Sequence, residues 1–375
     1  MDYSPKQNES FPVLTMFFIG FTVTSSAQML SPIIAIYAKD YLGASIYQVG
    51  LIVSAFFIAS AVSKLSIGIF SGRRWIGLLL TSGLLGGSIL PSTYALVGDP
   101  FSLTAIRILH GVMSSLFFIA SMTIASAMAP YDKRDEALGS YTAALAMGLM
   151  AGPSIGTLGV AFLGVRNTFF LASIVAFAGF MSSYPLLGRF RSISKAERSG
   201  VSKKNLVAVL ANEVFRSAFA AYLAFSFLFG VLLAYAPIYA HESLGFPNEH
   251  ITSLFFGYFT FTAGVRFFVN RLTRQYGRKK LLVSGLVGTT LIAFLMTLSG
   301  SPMVFALAFI LLGISHGVVY PTSAMIVADS VTSEELLLAN SIFLSAFDLG
   351  ATLGPVLASV LAESYGIVSA LSMSS

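Results

Sequence analysis

Gly148-Leu149-Met150-Ala151-Gly152-Pro153 returns 202 residues later as Gly350-Ala351-Thr352-Leu353-Gly354-Pro355, and this recurrence decides the fold. Working outward with the same shift, Gly83 and Gly86 fall on Gly285 and Gly288, and Lys64 falls on Arg266. Leu42-Gly43 then meets Leu244-Gly245, and Tyr37-Ala38 meets Tyr239-Ala240. Between these points the shift widens to 206, which sets His110-Gly111-Val112 on His316-Gly317-Val318. Chance similarity among apolar residues does not hold one register over so long a stretch, so the chain reads as two copies of one unit.

The composition says where that unit sits. Of 375 residues, 56% are hydrophobic and 10% charged, and the mean hydropathy is +0.83. An ordinary soluble domain carries roughly 25% charged residues, so this chain belongs in a membrane. A span needs about 20 apolar residues and, with its loop, roughly 30 of chain, which predicts about 12 spans and excludes a single-anchor receptor. The apolar runs are continuous, without the two-residue alternation of a membrane barrel, so the spans are helices. The 33 Gly and 13 Pro fit helices that pack closely in lipid. Cysteine is absent, which removes disulfides, thiolate nucleophiles and thiolate metal sites.

Predicted spans run over residues 11–38, 48–70, 75–97, 101–128, 137–163 and 167–187, then 214–240, 251–269, 281–299, 302–328 and 336–362, with a stub from Ile367. The first ten residues carry no signal-peptide pattern, so the first span is expected to stay in the protein. Residues 188–212, basic and polar, read as a linker between an N-terminal half of six spans (1–187) and a C-terminal half of five spans and the stub (213–375). By the repeat, a twelfth span is expected to be truncated. With the N-terminus in the cytoplasm, 17 of the 22 Lys and Arg fall on the cytoplasmic side. The net charge of +6 is therefore a topology signal with lipid headgroups as its partner, and nucleic acid is excluded.

These residues resemble the major facilitator superfamily across the whole chain. The loop motif of that family, G-x-L-x-D-R-x-G-R-R/K, is approximated in the second half by Leu272, Gly277, Arg278 and Lys279, with Arg274 in place of the Asp. In the first half Arg73 matches, and Gly72 stands at the Asp position. Leu103, Arg107 and Gly111 match the fourth-helix motif, with His110 replacing its Gln; Gly148, Gly152, Pro153 and Gly156 match the fifth-helix motif associated with drug:proton antiporters. The resemblance implies an all-α membrane protein of two six-helix pseudo-symmetric halves that rock about a substrate site between them. It implies a secondary transporter in the cell membrane, expected to be a monomer without cofactor or metal, taking a small molecule and protons.

Ionisable groups inside spans cost about 2.5–3.5 kcal/mol each on insertion scales, so each is a functional candidate. They are Lys64, Arg107, His110, Arg266, His316 and Asp348. Asp348 lies about 18 Å along its helix from Leu336, near mid-membrane, where a carboxylate suits a proton carrier. Arg107 and His110 share one helical face, and Gln28 is the strongly polar side chain of the first span. His110 and His316 read as symmetry-related polar linings, or as neutral histidines bonded to their neighbours. The missing family Asp suggests a gate of reversed polarity: Arg73, Arg74, Arg271 and Arg274 in the loops against Asp135, Glu136, Glu334 and Glu335 at helix starts, with Lys64 and Arg266 as further gate candidates. Gly148, Gly152, Pro153, Gly156, Gly350, Gly354 and Pro355 read as helix-packing elements.

Two functions follow: proton-coupled export of a small amphipathic compound, or uptake of a metabolite, including an organic anion that three buried cations would attract. No cluster of nucleophile and base, metal set or phosphate loop supports an enzyme.

Overall fold

In hydrocarbon every backbone N–H and C=O must find a partner within the protein, and a continuous apolar run meets that demand by coiling. The computed structural model describes residues 10–70, 75–127, 134–186, 203–298, 300–332 and 335–372, and it is helical from end to end. The first half contains α1 (Ser10–Leu30), α2 (Ile46–Phe70), α3 (Ile76–Tyr94) and α4 (Pro100–Ala127). It ends in a long helix, Arg134–Ser183, which Gly164 breaks at φ 80° into α5 (134–163) and α6 (165–183). The second half contains α7 (Glu213–Glu242), α8 (Asn248–Tyr276), α9 (Arg278–Leu298), α10 (Pro302–Ser330), α11 (Leu336–Tyr365) and the short α12 (Ile367–Ser372). Ten described helices are long and apolar enough to cross a membrane, and splitting the longest at Gly164 gives the eleven spans expected. Outward-facing Phe162 and Phe267, 81% and 86% exposed, fit a lipid surface.

The repeat extends to the backbone. Gly43 and Gly245 leave their helices at φ 65° and 71°, and Gly164 and Gly366 turn theirs at 80° and 87°. Each pair is separated by the same 202 residues, and each position needs the left-handed region that glycine enters without steric cost.

Two expectations change. The described end of the linker is not uniformly polar: Lys203–Ala211 forms a helix that buries Val209, because Leu206, Val207, Val209 and Leu210 interrupt the charged run. Asn212 then starts α7, its Oδ1 accepting from the Phe215 N–H at 3.0 Å. The first span does not run unbroken to Ala38. It turns at Ser31-Pro32-Ile33, where proline cannot supply the helical N–H, and resumes at Ile34 before a wide π turn over Tyr37–Tyr41.

The glycines of the fifth- and eleventh-helix motifs sit at backbone contacts. A Cβ on Gly148 would meet Thr24 Cβ at 2.7 Å, and one on Gly152 would meet Gln28 Cβ at 2.6 Å, so α5 lies flush on α1. Gly350 and Gly354 do the same for α11 on α7, against the Leu223 and Phe227 carbonyls. Gly156 is looser, with Met29 Cα at 3.3 Å. The tightest approach joins α8 and α10, where a Cβ on Gly313 would strike the Tyr258 carbonyl and Thr262 Oγ1 donates across to the Gly313 carbonyl at 3.0 Å. Gly313→Val is therefore expected to cost about 3 kcal/mol, the upper end for overpacking. A melting temperature in detergent equal to that of the parent would contradict this contact.

The halves meet along α2 with α11 and α5 with α8. The end of the bundle where α1 begins is termed proximal, and the opposite end distal. Distally, one apolar core runs through both halves, from Ile34, Tyr37 and Phe169 to Leu233, Tyr239 and Phe305. Proximally the first half has a separate core of Met16, Leu80, Phe117 and Tyr141, whereas in the second half only Val269, Leu281 and Val318 stand apart and Phe215 and Val327 stay in the continuous core. Among the described residues, apolar packing thus joins the halves at the distal end and leaves the first half a proximal core of its own.

Candidate functional site

The polar groups between the halves are placed by the antiparallel pairing of α2 with α11. From the distal end inward, Gly50 faces Ser359, Ser54 Oγ donates to the Thr352 carbonyl at 2.9 Å, and Lys64 reaches Asp348. Lys64 Nζ lies 2.7 Å from Asp348 Oδ2, and Ser60 Oγ approaches the same oxygen at 3.4 Å. The Asp348 side chain is 4% exposed and that of Lys64 20%, so this is a largely desolvated ion pair that ties one half to the other. Sequence alone leaves Asp348 unpaired and assigns Lys64 to a gate. The pair is hidden there because its members are 284 residues apart and on different types of helix in the repeat.

Arg107 and His110 do share a face, and both are buried. Arg107 gives two donors to α2, Nε to the Ile52 carbonyl at 3.3 Å and Nη2 to that of Val53 at 3.5 Å, with Phe56 beneath the guanidinium at 4.5 Å. In this conformation it braces α4 against α2. His110 Nδ1 and the Tyr94 hydroxyl share a hydrogen bond of 2.7 Å, and His316 Nδ1 shares one of 3.1 Å with Tyr258. The two histidines are equivalent in the repeat, but their tyrosines come from α3 and α8, so the linings are similar without being copies.

Arg266 differs from these cations. Its guanidinium lies 5.3 Å from the Tyr320 ring, and its Nε is a buried donor without a partner among the described residues. Around it stand Tyr222, Tyr258 and His316, all buried. Tyr222 stacks on Phe343 at 4.8 Å and meets Phe347 at 5.8 Å, and Phe347 meets Phe57 of the other half at 6.0 Å. Among the described residues, Gln28, half-buried on α1, leaves Oε1 unpartnered, as Thr24 and Ser25 leave their hydroxyls.

The distal end carries a device that sequence reasoning missed. Lys39 Nζ lies 3.9 Å from Glu242, and His241 Nε2 lies 3.5 Å from Asp40. The 202 shift turns Lys39-Asp40 into His241-Glu242, so the two contacts are reciprocal across the pseudo-twofold axis. The signal is present in the chain, since the flanking Tyr-Ala and Leu-Gly pairs align at the same shift.

Of the proposed proximal gate, Arg73, Arg74 and Glu334 lie outside the described residues, as do the side chains of Asp135 and Glu136. Arg271 and Arg274 are exposed. Glu335 accepts the Thr332 N–H at 3.0 Å, a local cap, and Arg278 pairs with Asp329 inside its own half.

The sequence profile of the Major Facilitator Superfamily matches residues 16–265 and again 248–374. The chain belongs to this family. Multidrug resistance protein MdtG of Salmonella arizonae is 25% identical over 369 residues, covering 94% of this chain and 89% of its own. An uncharacterized MFS-type transporter of Methanocaldococcus jannaschii is 24% identical, covering 95% and 92%. Among solved structures, a bacterial homolog of the human lysosomal transporter Spinster, inward-facing and unoccupied, aligns with a TM-score of 0.76 at 15% identity, over 96% of this chain and 84% of its own. The nucleoside transporter NupG aligns at 0.72 and 14% identity, over 97% and 95%. The family and these relatives make this a multi-pass membrane transporter with the helical two-half fold.

Proposed function

We propose that this family member exports small amphipathic organic compounds in exchange for protons, by alternating access, as a monomer in the cell membrane with its N-terminus in the cytoplasm. The observation that carries the reading is the Lys64–Asp348 bridge, a carboxylate shielded from water that fastens the two halves. A proton on Asp348 removes its charge and releases Lys64, so the protonation state is coupled to how firmly α2 holds α11. Substrate enters from the proximal side, where the first half keeps a core of its own, and the distal pairs Lys39–Glu242 and His241–Asp40 open when the halves rock. Relatives named for multidrug resistance support export over uptake. The reversed-polarity gate of Arg271 and Arg274 with Glu334 and Glu335 would then close the proximal side, and Lys at both glutamates should favour the proximally open state.

A thermal-shift screen for ligands at two pH values, followed by flux of each hit into proteoliposomes under an imposed pH gradient, tests this. Flux driven by the gradient and lost in Asp348→Asn is the expected result. A hit carried equally with and without the gradient, in both forms, overturns proton exchange. Transport that follows the proton inward would identify the uptake alternative.

A further inference from the structure

The repeat predicts a carboxylate that the chain does not contain. Lys64 on α2 corresponds to Arg266 on α8, and Asp348 on α11 corresponds to residue 146 on α5, two positions before Gly148 as Asp348 is two before Gly350. Residue 146 is alanine. The two interfaces keep the same register: Gly50 faces Ser359 on one, and their 202-shift equivalents Thr252 and Thr157 are hydrogen-bonded at 2.8 Å on the other. By the repeat, then, Lys64 has its acid, whereas its counterpart Arg266, set among second-half rings, has none among the described residues. A half-buried arginine with an unpartnered Nε is costly to hold unless an anion completes it.

We propose that Arg266 is the binding residue for the carboxylate of an organic anion, the ligand supplying the charge that Ala146 omits. The fork of the guanidinium suits a carboxylate bidentately. Tyr320, Tyr222 and Phe347 continue from it toward Phe57 of the first half, a row of rings fitted to an aromatic or apolar body attached to the acid. A ligand held at both points touches both halves, as a transported substrate must. Arg107 is less suited to the anion, since two of its donors are held by α2 carbonyls and Phe56 covers its guanidinium. The assignment rests on reading the space between the halves as the transport site, and it narrows the cargo to amphipathic monoanions.

The test compares 1-naphthoate with its uncharged isostere 1-naphthamide as probes, by calorimetry on the purified full chain. Naphthoate is expected to bind about tenfold or more tightly than the amide, as a charge-assisted contact implies. Arg266→Gln should erase the difference, and Arg266→Lys should keep part of it. Ala146→Asp, which restores the missing acid, should also erase it while raising the melting temperature through the new pair. Equal binding of the two probes by the parent protein, or a preference that survives both Arg266→Gln and Ala146→Asp, overturns the proposal. Binding requires no pH gradient, so the two readings fail separately. Gradient-driven flux of an uncharged amphipath without naphthoate preference sinks only the anion site, and naphthoate preference without gradient-driven flux sinks only proton exchange.

Discussion

Asp348→Asn is expected to destabilise the protein by about 3–5 kcal/mol, the cost of removing one partner from a buried ion pair and leaving the other charged. Lys64 is that other partner, 2.7 Å away and 20% exposed, with no second carboxylate bonded to it among the described residues. The double variant Lys64→Met with Asp348→Leu should recover most of the loss, because an apolar pair of similar volume replaces a buried ion pair at little or no cost. Flux under a pH gradient should behave differently: both the single and the double variant lose it, since neither retains a titratable carboxylate between the halves. Melting temperatures and flux measured on the three forms separate a structural strut from a coupling site. Recovery of gradient-driven flux in the double variant would show that the pair only holds the helices together.

The second large effect concerns the α5–α8 interface. Thr157 Oγ1 donates to Thr252 Oγ1 at 2.8 Å across the halves near the distal end, which brings the two Cβ atoms near the roughly 3.5–4.5 Å that a disulfide spans. The natural chain has no cysteine, so Thr157→Cys with Thr252→Cys introduces the only thiols. Oxidation is expected to lock the distal end shut and abolish transport, with reductant restoring it and each single variant unaffected. Ligand binding from the proximal side should persist in the locked form. Full transport by the crosslinked protein, confirmed by mass spectrometry, would mean that the halves do not separate at this point.

Both experiments use contacts that the sequence placed in the right helices without joining them. The spans were legible because burial in lipid leaves one local solution for an apolar run, and ten of the eleven lie close to their expected positions. Helix α1 was the exception: Pro32 broke it, and hydropathy does not register a missing N–H. The linker helix Lys203–Ala211 was missed for the opposite reason, since its small apolar stripe is outweighed by the charges around it.

The candidate site was legible as a set of residues and not as an arrangement. Buried ionisable positions stand out because they are expensive, which is why Lys64, Arg107, Arg266, His110, His316 and Asp348 could all be named from composition against span. Their roles diverge through neighbours that lie far away in sequence. Arg107 finds the Ile52 and Val53 carbonyls, Lys64 finds Asp348, and Arg266 finds rings without an acid.

The recurrence of Gly148-x-x-x-Gly152-Pro153 at Gly350, with the scarcity of charge, determined from the sequence alone that this is a doubled helical membrane protein. A repeat fixes equivalence, and lipid fixes secondary structure. Which cation keeps a partner was decided only when α2 crossed α11 and α8 crossed α5, because a charge pair forms over a few ångströms and its energy depends on the local exclusion of water. That condition is a property of packed helices and is not carried by any one stretch of the chain.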